Sequence, residues 1–408
     1  MAQDTLSRPQ AGWYLLGPAF VAAIAYVDPG NVAANVSAGA QFGFRMLWVI
    51  VAANLMAGVV QYLSAKLGLV TGLSLPEAVG RQLSRPARLA YWVQAELVAM
   101  ATDVAEVVGG AIALKILFNL PLLIGGLLTG VASLLLLAVQ DRRGQRLFEQ
   151  VITGLLIVIA LGFTASFFVA TPPPGAVIGG LLPRFQGTES VLLAAAILGA
   201  TVMPHAVYLH SGLARDRHGH PDAGPGRRRL LRITLWDVGL AMMIAGAVNV
   251  AMLLVAALNM HGRGSSGSIE GAYAAVRDTV SPTVAVFFAV GLLASGLASA
   301  SVGAYAGAMI MQGLLDWSVP MVLRRLITLV PAALILASGF NPTRALVLSQ
   351  VVLSFGIPFA LLPLVRLTGD RALMGDDANR RVTSAIGAAV AVLVTLLNVG
   401  LIFLTATK

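Results

Sequence analysis

Apolar stretches long enough to cross a bilayer recur along the chain, centred near residues 26, 57, 102, 130, 159, 202, 246, 293, 329, 355 and 393. A helix of about 20 apolar residues spans the hydrocarbon core, so this pattern predicts eleven transmembrane helices and an all-α polytopic membrane protein. The intervals leave no room for a soluble domain, and residues 1–408 read as one integral unit. Two stretches are interrupted. The first apolar run, Trp13 to Val27, meets Asp28-Pro29-Gly30-Asn31, and the sixth, Val191 to Leu213, contains Gly199-Ala200-Thr201-Val202-Met203-Pro204-His205. Proline has no N–H, so the carbonyls four residues back, on Ala25 and Ala200, lose their helical partners. Breaks five spans apart match a 5+5 inverted repeat whose leading helices, 1 and 6, are discontinuous near the bilayer midplane. The repeats fall at roughly 12–170 and 188–367, with an extra helix at roughly 380–405.

Finer signals lie between the spans. Ser74-Leu75-Pro76-Glu77 is a capping-box pattern and predicts a short helix after the second span. Ile269 to Arg277 reads as a helix in the loop after the seventh span, and Arg215 to Arg229, rich in Gly, Pro, His and Arg, as a mobile loop. The eighth span is dense in Gly and Ser, which permits close helix packing.

Composition supports this reading and narrows it. The chain is 58% hydrophobic and 11% charged, with a mean hydropathy of +0.85. The net charge of +9 does not form a nucleic-acid face: 20 of the 27 Lys and Arg fall in alternate loops. That asymmetry places the N-terminus in the cytoplasm and, after eleven spans, the C-terminus outside. With no cysteine, thiolate metal sites and disulfides are excluded.

Candidate chemistry gathers at the two breaks. Non-helical backbone at membrane depth is tolerated where protein or a water-filled cavity surrounds it, and a carboxylate there marks a functional site. Together the breaks offer the Asp28 carboxylate, the Asn31 amide oxygen, the Met203 thioether and the carbonyls of Ala25 and Ala200. Oxygen donors alone suit Mg²⁺ or Ca²⁺, whereas a thioether adds affinity for transition metals such as Mn²⁺, Fe²⁺, Co²⁺, Zn²⁺ or Cd²⁺. His205 lies about 200° around the helix from Met203 and should face the third span instead. There Glu96, Asp103 and Glu106 share one helix face, within about 80° of arc. Buried ionisable groups in such a row suit a proton route, with Arg324 and Arg325 as counter-charges.

The motifs Ala25-Tyr26-Val27-Asp28-Pro29-Gly30-Asn31 and Ala200-Thr201-Val202-Met203-Pro204-His205 resemble the first- and sixth-helix motifs of the Nramp (natural resistance-associated macrophage protein) divalent metal transporters, especially the bacterial manganese transport proteins. The resemblance runs from about Gly12 to Leu404. It implies a LeuT-like fold of ten core helices plus an eleventh, in a bacterial cell membrane, working as a monomer. It also implies uptake of Mn²⁺ or Fe²⁺ with protons, the metal being cargo rather than a resident cofactor. Asp28, Asn31, Met203, Ala25 and Ala200 would ligate the metal, with Gln350 joining in some states. Asp28, His205, Glu106, Asp103 and Arg325 would carry protons, with Arg324 and Glu96 further along. One departure is Leu297-Ala298-Ser299-Ala300, which lacks a glutamine common in the eighth span of relatives. Magnesium and aluminium transporters of the superfamily lack the methionine, so Met203 argues against them. A passive divalent metal channel is the alternative reading, and an amino-acid transporter of the same fold a weaker one, because Asp28 would repel a substrate carboxylate.

Overall fold

The structure is a computed structural model that describes residues 17–143, 145–164, 172–262, 267–317 and 319–406; the start of the first apolar run at Trp13, and Arg8, one of the basic residues counted above, lie outside them. All regular structure among the described residues is helical. The order is α1 (Pro18–Ile24), a 3₁₀ turn (Ala25–Val27), α2 (Pro29–Phe42), α3 (Leu47–Thr71), α4 (Leu75–Gln82), α5 (Arg85–Phe118), α6 (Leu122–Arg143), α7 (Gln145–Thr164), α8 (Pro174–Gly180) and α9 (Gly187–Thr201). There follow α10 (Pro204–His218), α11 (Pro225–Asn259), α12 (Ile269–Thr279), α13 (Pro282–Leu315), α14 (Met321–Ala337), α15 (Pro342–Gly369), α16 (Arg371–Met374) and α17 (Arg381–Ala406). Helical segments meet all eleven apolar stretches. Seven helical stretches among the described residues are by length and composition able to cross a membrane, with Pro29–Thr71 and Gly187–His218 each counted as one; three shorter apolar helices accompany them.

Local signals in the sequence explain several boundaries. Both breaks use one device: Asp28 (φ −67°, ψ 165°) and Met203 (φ −63°, ψ 119°) are extended, each just before a proline that opens the next helix. Proline disfavours the helical region for the residue before it, and its own fixed φ suits the first helical position. The capping box forms, with the Ser74 hydroxyl accepting from Glu77 N and the Glu77 carboxylate accepting from Ser74 N. α12 forms where expected. The Arg215–Arg229 stretch, expected as a mobile loop, is mostly helix: α10 runs on to His218, Gly219 ends it at φ 71°, and Pro225 starts α11. Glycine and proline there mark helix ends rather than a long loop.

The two broken helices lie at the centre. The most apolar window of Gly187–His218 is 89% buried by protein, against 33% for α17, which leaves Leu393, Leu396, Val399 and Phe403 exposed on its outer face. In an aqueous protein such a surface would be untenable; against lipid tails it is the expected one. α13 packs along α5 with the close approach its small residues predict, a Cβ at Gly296 meeting the Glu106 and Gly110 backbone at 3.1–3.3 Å, and two further glycines clear side chains. A Cβ at Gly303 would press on the Glu106 carboxylate, and one at Gly307 would fall on the Arg324 guanidinium. These glycines make room for buried charge.

Candidate metal site and the buried charge row

The unwound backbone at the first break is satisfied from two neighbouring helices. Asn249 of α11 donates to the Tyr26 carbonyl (2.8 Å), and Ser295 of α13 donates to the Val27 carbonyl (2.5 Å). Asn249 is itself held by Asn35 of α2, whose amide donates to it at 3.0 Å. Buried carbonyls without such partners would each cost about 1–3 kcal/mol. Nothing in the local sequence around the break marks Ser295 or Asn249 for this task. They were legible only as polar residues inside apolar spans.

Asp28 opens α2, and its Oδ1 accepts from Asn31 N at 2.8 Å. Its Oδ2 accepts a long hydrogen bond, 3.4 Å, from Gln350 Nε2 of α15. Asn31 donates its amide to the Ala200 carbonyl at 2.7 Å, so the two breaks are joined directly, and Thr201 donates to Asn31 Oδ1 at 3.4 Å. Gly30 leaves room for Gln350, since a Cβ there would overlap its side chain. Gly199 lets the sixth-span break approach α15, for its Cβ would fall on the Gln350 backbone. Asp28, Asn31, Ala200, Met203 and Gln350 have no solvent exposure and Ala25 only 1%. The Gln350 Oε1 makes no hydrogen bond to any described residue. The structure therefore brings Asp28, Asn31, Ala200 and Gln350 into one hydrogen-bonded set, with Ala25 and Met203 buried in the adjoining breaks. One carboxylate, two amide oxygens, a thioether and backbone carbonyls form a donor set for a dication of intermediate softness. In this arrangement Asn31 and Gln350 donate amide N–H groups to Ala200 and Asp28; the Gln350 oxygen is left without a partner among the described residues, while that of Asn31 accepts only the long bond from Thr201.

The second set lies along α5. Arg325 of α14 pairs with Asp103, donates from Nε to Ser133 of α6 at 3.2 Å, and stands 3.7 Å from Glu106 Oε2. Arg324 pairs with both Glu96 oxygens at 2.9 and 3.1 Å and donates to the Ala304 carbonyl of α13 at 3.3 Å. His205, just past the second break, meets Thr102 of α5, Nδ1 to Oγ1 at 3.3 Å. It thus faces the third span, as the angular argument requires. Thr102 and Ser133 were not anticipated; as single hydroxyls in apolar helices they carry no sequence signal. On the other flank, Gln61 of α3 bonds Tyr26 and receives His210 of α10 at 2.7 Å, linking both broken helices to the second span.

With this geometry in view, the relatives are informative. An Nramp family profile, described as natural resistance-associated macrophage protein-like, matches residues 19–404. The divalent metal cation transporter MntH of Mycobacterium tuberculosis is 78% identical over 407 residues, covering 100% of this chain and 95% of that protein. MntH of Bacillus subtilis is 47% identical over 390 residues, covering 95% and 91%. Among solved structures, the Eremococcus coleocola manganese transporter, in complex with an aromatic bis-isothiourea substituted compound, superposes with a TM-score of 0.83 at 31% identity, covering 97% of this chain and 89% of its own. The nucleobase-cation-symport-1 transporter Mhp1 superposes with a TM-score of 0.62 at 14% identity, covering 96% and 93%, a likeness of fold alone. The fold is that of the LeuT-like membrane transporters. Within that class the chain belongs to the Nramp family.

Proposed function

We propose that this protein imports divalent transition metal ions, Mn²⁺ or Fe²⁺ and also Co²⁺, Cd²⁺ and Zn²⁺, into the bacterial cytoplasm by alternating access, together with protons. The observation that carries the reading is the convergence of one carboxylate, Asp28, and one thioether, Met203, at two helix breaks bridged by the Asn31–Ala200 hydrogen bond. Asp28, Asn31 and Met203, with the Ala25 and Ala200 carbonyls and Gln350, would hold the ion; the relatives named as divalent metal cation transporters support this cargo. Full burial of the donor set favours a carrier over a passive channel, because a pore would leave these groups wet from both sides.

Proton coupling is supported by a charge count along α5. Among the described residues Glu96, Asp103 and Glu106 form ion pairs with Arg324 and Arg325 alone, three acids against two guanidinium groups, with the His205 imidazole beside them. An uncompensated buried charge is costly, and one proton resident on the row removes it. His205 would link that row to the metal site. Purified protein in proteoliposomes, with Mn²⁺ outside and a pH dye inside, tests both parts. Asp28→Ala should reduce Mn²⁺ uptake to background, since it removes the sole anionic donor and leaves a dication facing neutral dipoles. Near-normal Mn²⁺ entry through that variant would sink the site.

A further inference from the structure

On the face that α13 turns toward α5 and the first break, two buried hydroxyls lie one turn apart, Ser295 and Ser299. Ser295 is committed to the Val27 carbonyl. Ser299, 2% exposed, makes no hydrogen bond to any described residue. Glu106 across the interface has no exposure; its carboxylate lies beside that of Asp103 and 3.7 Å from Arg325, and neither oxygen has a partner in good hydrogen-bond geometry among the described residues. A buried polar group left without a partner is costly, a charged one more so, and two of them on facing helices point to a water shared between them.

Helix geometry locates that water. Taking Gly296 as zero and about 100° per residue, Gly303 falls near −20° and Ser295 near −100°. The first direction faces Glu106, whose carbonyl and carboxylate lie 3.1 and 2.9 Å from Cβ atoms built on Gly296 and Gly303. The second faces the break, where Ser295 bonds Val27. Ser299 falls near −60°, between the two. Ser299 therefore lies on the strip of α13 that turns toward the wedge between the residue before Asp28 and Glu106.

We propose that Ser299 is a positioning residue that holds a water between the first break and Glu106, and that this water carries the proton from the metal site's side of the interface to the charge row. The water accepts a proton arriving at the break and releases another to a Glu106 oxygen. One O–H bond forms on the water as another breaks, so the water is unchanged and Ser299 neither gains nor loses a proton. The charged and titratable groups around this path are Asp28 at the break, His205 of α10, Asp103 and Glu106 of α5 and Arg325 of α14; α13 brings hydroxyls alone. The inference rests on the proton-coupled reading and deepens it.

The test counts protons and Mn²⁺ entering the same proteoliposomes, made with the full chain. Ser299→Ala should lower the protons entering per Mn²⁺ severalfold, well short of the roughly hundredfold or more that a group exchanging the proton itself contributes, because Ser299 only holds the water. A purely structural defect would slow both fluxes together and leave that ratio alone. Ser301→Ala serves as the control, because Ser301 bonds the Leu297 carbonyl of its own helix on another face, and it should keep the wild-type ratio. An unchanged ratio in Ser299→Ala, or equal falls in both serine variants, overturns the assignment. Glu106→Gln separates the two levels of argument. If it too keeps the wild-type ratio, the proton route through Glu106 fails and the water with it; if it lowers the ratio while Ser299→Ala does not, Ser299 alone is wrong.

Discussion

Methionine is a poor residue to place at a helix N-terminus, where Asp, Asn or Ser would accept a backbone N–H and contribute about 1 kcal/mol. Met203 occupies that position at the start of α10 and makes no capping hydrogen bond, whereas Asp28 at the matching position of α2 caps fully. A residue that forgoes its local role is explained by another one, and a thioether beside oxygen donors favours softer cations over Ca²⁺ and Mg²⁺. Met203→Ala keeps the break, because Pro204 still ends the preceding helix. Mn²⁺ uptake should persist in that variant, Cd²⁺ uptake should fall further, and inhibition of Mn²⁺ uptake by Ca²⁺ should strengthen by about tenfold. Competition assays in millimolar Ca²⁺ decide it: a variant that excludes Ca²⁺ as well as wild type makes Met203 a packing residue.

α1 is only seven residues long, and its N-cap, Gly17, offers no side chain to its first turn. The cap arrives from far along the chain. Asp237 of α11, 2% exposed, accepts from Gly17 N at 3.2 Å and from Ala19 N at 3.1 Å. A carboxylate at a helix N-terminus also meets the positive end of the helix dipole. Asp237→Ala should therefore destabilise α1 by about 1–2 kcal/mol. Hydrogen exchange should accelerate across residues 17–24 while α17 is unaffected; uniform exchange throughout the chain would show that the cap is not local to α1.

At the level of the whole molecule, the basic loops make a directional claim that is open to direct labelling. The chain contains no cysteine, so any introduced thiol reports without background. Asp222, exposed between α10 and α11, should lie in the cytoplasm, and Asp278, exposed near the end of α12, outside. In intact cells a membrane-impermeant maleimide should label Asp278→Cys, and Asp222→Cys only after permeabilisation. The opposite pattern inverts the topology and turns proposed uptake into export.

The sequence by itself determined the helical class, the two breaks and the donor groups placed at them, because these follow from hydropathy, from proline's missing N–H and from the expense of burying charge in lipid. Local start signals were legible for the same reason: the capping box at Ser74 and the prolines at 29, 204 and 225 act within one turn. It misjudged Arg215 to Arg229 as a loop, since glycine and proline there close one helix and open the next. Tertiary structure alone decided the partners of the buried groups. That Asn31 reaches Ala200, that Asp237 caps a helix 218 residues away at Ala19, and that Arg324 takes Glu96 while Arg325 takes Asp103 all depend on which helix faces lie together. The same holds for Ser295 and Ser299, identical in type and one turn apart, of which one bonds the broken backbone and the other makes no hydrogen bond to a described residue. A hydropathy pattern records how deeply a residue is buried. It carries no record of its neighbour across the interface, and that neighbour sets the role of a polar side chain in a membrane.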